Sequence, residues 1–328
     1  MRSVAFFNTT GGVGKTTLAY HLAHMLSRLD YRTVAVDLDP QANLTSAFFD
    51  EERLERLWGE GEETILACVD PILEGTGDIQ APVPLEAADN LWVLAGDPGL
   101  SRVEDKLSDS WPRGYNNDHA ALRTTSAFHR IISQAARAVD SAVALLDVGP
   151  NLGAINRAAL LAADFLVIPL AADLYSHQGL KNLGPTVRSW RQQWTRLQDL
   201  VSTDVDLPPG EMTPAGYVVL QHAVRLDRPV RAYGRWLEQI PAVYREAVLG
   251  ETLSAKRARK EDEEHCLATL RNYRSLMPMA QDAHKPMFDL RPADGAIGSH
   301  AQLTQTCAEE FRRLAERLAE KCELKRPQ

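Results

Sequence analysis

The stretch "GGVGKTT", Gly11–Thr17, constrains this chain more than any other. Before it, Val4–Phe7 is a short run of β-forming apolar residues. After it, Leu18, Leu22, Met25, Leu26 and Leu29 recur at helical spacing. A strand that turns through glycines into a helix brings backbone N–H groups together at the helix N-terminus, where the helix dipole also favours negative charge. That arrangement suits phosphate. Gly11, Gly12, Val13, Gly14, Lys15, Thr16 and Thr17 are therefore the candidate phosphate-cradling residues. Lys15 can reach the outer phosphates, and the Thr16 hydroxyl can ligate Mg²⁺. In the common spacing G-x-x-x-x-G-K-[ST] the first glycine would fall at Thr9, so the loop departs from that form while keeping its strand–loop–helix context.

Two downstream stretches carry carboxylates. "VAVDLDP" is a second strand stopped by Pro40, with Asp37 and Asp39 at alternate positions. Alternate residues share a strand face, so both are expected to turn toward the site at the carboxyl edge of the sheet. "SAVALLDVGP" is a buried strand ending in Asp147, whose carboxylate can hold a Mg²⁺ water shell. An aspartate at a strand end can also cap a helix.

Further strands are expected in "NLWVLAGDP", "DFLVIPLA", "AGYVVLQH", "HCLATL" and "KPMFDL". Helices are expected over 119–139, in "NLGAINRAALLAA", in "SHQGLKNLGPTVRSWRQQWTRLQDL" with a kink or restart at Pro185, and over 299–322; "DSWPRGYNND" reads as a loop. The alternation predicts an α/β fold with a mostly parallel sheet sandwiched between helices. One domain over 1–328, with insertions near 43–90 and 195–265, fits the pattern better than two.

"TTGGVGKTTLAYHLA", "VAVDLDPQANLT" and "ALLDVGPNLGAINRAALLAADFLVIPLAADLYSHQGLKNL" together resemble, in order and spacing, the deviant Walker A ATPases of the ParA/MinD family. "NLWVLAGDPGLSRVEDKL" and residues 270–311 are similar to that family's third strand and its C-terminal segment. The resemblance implies ATP and Mg²⁺ as ligands, with Lys15, Asp39 and Asp147 as catalytic residues and Thr16, Asp37 and Asp147 around the metal. "DVGPN" would sense the terminal phosphate. It implies a homodimer closed by ATP and released by hydrolysis, serving DNA partition or cargo positioning with an adaptor protein that stimulates turnover. Arg271 and Pro278 fall in the segment that lines the adenine side in relatives.

One position departs from the family. Relatives carry, where this chain has Thr10, a lysine that reaches the partner's phosphates. Threonine offers one neutral hydrogen bond and is too short for that reach. Lys181 and Arg157 are the candidate replacements; slow or partner-dependent hydrolysis and a different dimer are the other readings.

Charge and composition bound the partners. The net charge of -8 argues against coating nucleic acid with the whole surface. Yet residues 225–260 carry nine Lys/Arg against four Asp/Glu. Arg225, Arg228, Lys256, Arg257, Arg259 and Lys260 are thus candidates for sequence-independent contacts with DNA phosphates. The alternative is an exposed helix face balanced by the following "EDEEH". The four cysteines show no C-x-x-C spacing, which disfavours a metal or iron–sulfur site and fits a reducing compartment. The terminal helix is amphipathic but acid-rich, so a role in covering the sheet is favoured over MinD-like membrane attachment. With no apolar run of membrane-spanning length and no signal-peptide pattern at the N-terminus, a cytoplasmic protein is expected, with nucleoid association as a further option. A metabolic or regulatory ATPase with little turnover is the other class retained. Trp190 and Trp194 are expected to pack one helix face.

Overall fold

Val4 and Phe6 turn into one apolar core while Ala5 and Phe7 turn into another, and all four are fully buried. A strand covered on both faces needs neighbours of the same kind, and the sheet around it supplies them. The computed structural model describes residues 1–220, 230–251, 262–273 and 275–326. Among these, eight strands form one sheet: β1 (Arg2–Phe6), β2 (Thr33–Asp37), β3 (Leu85–Ala88), β4 (Leu91–Leu94), β5 (Val143–Asp147), β6 (Phe165–Leu170), β7 (Thr213–Leu220) and β8 (Cys266–Leu270). Their order is β3-β4-β2-β5-β1-β6-β7-β8, parallel throughout except for the β3–β4 pair. The α/β architecture expected from the sequence is the one observed.

The helices of the first half are α1 (Lys15–Arg28), α2 (Asn43–Phe48), α3 (Glu51–Glu60), α4 (Ile65–Glu74), α5 (Val103–Gly114), α6 (His119–Thr125) and α7 (Ala127–Ala138). The second half adds α8 (Ala154–Leu161), α9 (Leu174–Leu200), α10 (Val230–Val243), α11 (Leu276–Asp282) and α12 (Ser299–Lys321). Side chains of α1, α11 and α12 fill the core of Val4 and Phe6; those of α4, α5, α7, α8 and α9 fill the other. On α12 the apolar positions Phe311, Leu314, Leu318 and Cys322 are buried in the core shared with α1, so this face covers the sheet. Among the described residues, no helix is long and apolar enough to cross a membrane.

Several elements differ from the sequence pattern, each for a local reason. The helix expected over 119–139 is two, because Ser126 takes φ -89° and ψ 0° between them. "DSWPRG" is not loop but the last part of α5, which carries Pro112 while Trp111 stacks on Trp194 at 5.8 Å. Burial of that aromatic pair outweighs the breaker residues. Trp194 is the core residue expected of it, its ring N–H donating to the Pro208 carbonyl at 2.8 Å. Helix α9 does not restart at Pro185 but runs through it unbroken. "KPMFDL" forms no strand; Met287–Asp289 is a single 3-10 turn. The Met287 N–H is taken by His21 Nε2 at 3.0 Å, so it has no ladder partner to find.

Helix α9 comes nearest its neighbour at Gly184, where an added Cβ would overlap the Ala247 carbonyl of the π-helical turn Tyr244–Leu249. In an exposed helix, Gly→Ala stabilises by about 1 kcal/mol. Here the sign should reverse: Gly184→Ala is expected to lose about 1–3 kcal/mol of stability in urea unfolding, and a gain would contradict this packing.

Candidate functional site

Strand β1 lies inside the sheet with β5 on one side and β6 on the other, so the chain changes direction across the sheet at its carboxyl end. Crevices form at such points. A cavity of about 700 Å³ opens here, lined by Gly11, Gly12, Gly14, Lys15, Thr16 and Thr17 from the loop and by Asp39 from the turn after β2. Gly12 and Gly14 adopt φ +71° and +80°, the left-handed region that favours glycine. A Cβ on Gly11 or Gly12 would meet nothing within 4 Å, so the loop is open toward the cavity. Val13 is buried and does not line the cavity.

Three carboxylates converge on this edge, and the protein treats each differently. Asp37 and Asp147 are in register on adjacent parallel strands, so they sit side by side, and both are fully buried. Asp37 is satisfied internally. Its Oδ2 accepts the Thr45 N–H at 2.8 Å and the Thr45 hydroxyl at 2.7 Å, both from α2, and its Oδ1 accepts the Asp39 N–H at 3.3 Å. Gly96 packs so near that a Cβ there would lie 2.8 Å from Asp37 Cγ. Asp147 has no such set of partners: neither carboxylate oxygen makes a well-formed hydrogen bond, and the nearby Thr16 hydroxyl acts on it only weakly. Burial, then the neighbouring Asp37, hold the Asp147 carboxyl well above its usual range, while Thr16 and Lys15 pull the other way. Burial likewise raises Asp37, offset by its Thr45 bonds.

Asp39 lies beyond the end of β2. It lines the cavity, whereas Asp37 and Asp147 are fully buried and do not. Its Oδ1 accepts the Gln41 N–H at 3.0 Å. Lys15 is buried among these groups. Desolvation lowers its pKa, and the Asp147 and Asp39 charges oppose that shift. Its ammonium stands 3.5 Å from the Thr10 carbonyl oxygen.

Thr10 is used within its own chain. Its N–H donates to Asn8 Oδ1 at 3.0 Å, and its hydroxyl faces the Tyr175 carbonyl at 3.5 Å, in the first turn of α9. Lys181 is exposed on the same helix. Arg157 instead lays its guanidinium over the Trp111 ring at 4.2 Å, and neither it nor Lys181 lines the cavity. Arg271 pairs with Glu310 on α12, and Pro278 is off the cavity wall, where Met277, Ala280 and Gln281 stand. The basic candidates Arg225, Arg228, Lys256, Arg257, Arg259 and Lys260 lie outside the described residues.

A family model described as "AAA domain" matches residues 1–200, more than half of the chain and all of the elements just described except the C-terminal wall. The chain belongs to the ParA-like ATPase family. Among curated relatives, the chromosome-partitioning ATPase Soj of Thermus thermophilus is 32% identical over 198 residues, covering 58% of this chain and 63% of that protein. Protein DIP2308 of Corynebacterium diphtheriae has a solved structure with a TM-score of 0.69 and 25% identity, covering 98% of both chains. An ATP complex of Cyanothece McdA shares the fold, with a TM-score of 0.65 and 17% identity over 100% of this chain and 98% of that one. The matches to curated relatives span about half to two thirds of those proteins' length.

In this ParA-like chain the cavity has walls that motif reading missed. Tyr20 and His21 of α1, Asn43, Ser46 and Ala47 of α2, Pro150, and Lys285 beyond α11 all contribute. Only the second turn of α1 carried a signal, since positions past a phosphate loop share its helix. His21 is neutral: Nδ1 bonds the Thr17 carbonyl at 2.7 Å, Nε2 accepts from Met287, and burial holds the pKa near 4. The chain's donors fit Mg²⁺ bound with phosphate. Asp147 offers two oxygens without a well-formed hydrogen bond beside the Thr16 hydroxyl, and Mg²⁺ takes few carboxylates plus phosphate and water. Among the described residues, no group of three His, Cys, Asp or Glu side chains could hold a metal by itself.

A raised carboxyl pKa keeps a proton in the folded state that the unfolded chain has released. Stability without ligands therefore falls as pH rises above about 4, the ordinary carboxylate value, toward the raised one. Asp147→Asn removes that dependence. Without nucleotide or Mg²⁺, its stability relative to the unmodified protein should rise between about pH 5 and about pH 8, by on the order of 1–3 kcal/mol. Urea unfolding across that range measures it; a gap that does not change with pH would contradict the assignment.

Proposed function

We propose that the chain is a Mg²⁺-dependent ATPase working as a nucleotide-gated homodimer in the partition of DNA or the positioning of a large cargo in the cytoplasm. The observation that carries this reading is Asp147. A fully buried carboxylate with no well-formed hydrogen bond to either oxygen, next to Thr16 and Lys15 on a glycine loop, is tolerated where a cation completes it. When bound, the metal supplies charge neutralisation and polarises the phosphate.

The chain's own groups divide the remaining work. Gly11, Gly12 and Gly14 let backbone N–H groups approach the phosphates, and Lys15 neutralises their charge. Thr16 and Asp147 hold the metal and its water, with Asp37 supporting their electrostatics from behind. Asp39, oriented by the Gln41 N–H, positions the attacking water from the cavity wall. The loop of residues 147–151 registers whether the terminal phosphate is present. Thr10 brings no cation, which favours slow turnover quickened by a partner, with Lys181 as the candidate to reach across a dimer. The basic run within 225–260 is the proposed contact for nonspecific DNA, and an adaptor protein is the proposed stimulator of hydrolysis.

The test combines nucleotide binding with hydrolysis. ATP should bind and be hydrolysed in a Mg²⁺-dependent way, and Lys15→Ala should lower turnover by about 100-fold or more. Equal hydrolysis by Lys15→Ala, or turnover indifferent to Mg²⁺, would remove the reading. Size-exclusion chromatography with ATP should give a dimer, and duplex DNA should be retarded in a salt-sensitive, ATP-dependent manner.

A further inference from the structure

Helix α8 follows directly on the loop of residues 148–153, yet its cap comes from elsewhere in the chain. Its own N-cap residue, Gly153, has no side chain to offer. The Glu104 carboxylate, from the first turn of α5, takes that place. Oε1 accepts the Ala154 N–H at 2.5 Å and Oε2 accepts the Ile155 N–H at 2.9 Å. Two otherwise unpaired helix donors thus meet one carboxylate from a distant part of the sequence. Gly153 makes room for it: a Cβ there would lie 2.6 Å from Glu104 Oε1 and 2.8 Å from Asn151 Oδ1.

The loop is fastened from the inner side as well. Buried Asn156 donates through Nδ2 to the carbonyls of Gly149 at 2.9 Å and Asn151 at 2.7 Å. Gly149 in turn passes against Asp39, since an added Cβ would stand 3.4 Å from Asp39 Oδ1. The cavity wall, the loop, the start of α8 and α5 therefore form one chain of contacts. Arg157 over Trp111 binds the same two helices again, further along each.

We infer that Glu104 is a positioning residue, the outer anchor that sets the loop of residues 148–153 against Asp39. The inference rests on the proposed reading of that loop as a nucleotide switch and goes beyond it by assigning what the switch pulls on. Lys15, Thr16 and Asp147 stand on α1 and β5, held independently of this anchor. Loss of Glu104 should therefore spare general nucleotide binding and blunt the distinction between nucleotides with and without a terminal phosphate.

Glu104→Ala and Glu104→Gln in the full chain test it. Without nucleotide, the amides of residues 154 and 155 should exchange with deuterium about five- to tenfold faster in Glu104→Ala. Glu104→Gln, which keeps one neutral acceptor, should fall between. The ratio of affinities for a non-hydrolysable ATP analogue and for ADP should drop about fivefold in Glu104→Ala, with ADP affinity itself nearly unchanged. Gly153→Ala, whose methyl group would push the same carboxylate away, should reproduce both effects with Glu104 in place. Unaltered exchange would overturn the anchor. Faster exchange with an unaltered affinity ratio would reduce Glu104 to a helix cap and overturn its positioning role. If the unmodified chain binds neither nucleotide, the proposed function fails, while the exchange rates still judge the anchor.

Discussion

Two aspartates ending adjacent strands in register, Asp37 and Asp147, set the terms for everything around them. Parallel strands lie about 4.8 Å apart, so in-register carboxylates on one face are close neighbours in a region without water. Such a pair is tolerable only if each is dealt with separately. The chain spends α2 on the first: Thr45 gives Asp37 both its amide and its hydroxyl, and the same hydroxyl accepts the Gly96 N–H from the end of β4. The second is left open beside Lys15 and Thr16. An asymmetry between two chemically identical side chains is what turns a sheet edge into a site.

The arrangement depends on backbone order more than on any one side chain. Because β1 is flanked by β5 and β6, the glycine loop emerges at the point where strand order reverses, with Asp147 on the adjoining strand. Helices packed on both faces keep that edge dry enough for a carboxylate to matter electrostatically. Thr10 belongs to the same scheme. Its amide satisfies Asn8, and Asn8 reaches the Pro169 carbonyl at 2.7 Å, tying the loop to the end of β6.

Much of this was legible in the residues. The glycine loop, the strand ending at Asp147 and the buried runs of β2, β5 and β6 all announce themselves through composition and period, because each is a local pattern. What escaped was non-local. Nothing in "NLT" marks Thr45 as the partner of an aspartate eight residues earlier. Pro112 and Gly114 read as breakers, yet the stretch is helical, with Trp111 stacked on Trp194 from far along the sequence. "KPMFDL" has a strand's alternation, and it takes a histidine on the first helix to claim its amide. Arg157 looked free for chemistry and is engaged with Trp111.

His21 joins two segments far apart in the chain, and this bears on the order in which they are made. The glycine loop and α1 leave the ribosome well before residue 287, but the imidazole that bonds Thr17 on one side needs the amide of Met287 on the other. The helix that covers α1, α12, comes later still. Until then His21 holds an unpaired ring nitrogen beside a cavity that lacks its wall of Met277, Gln281 and Lys285. The glycine loop is thus completed by residues made long after it, and a nascent chain acquires its complete pocket only once residues 277–287 have emerged.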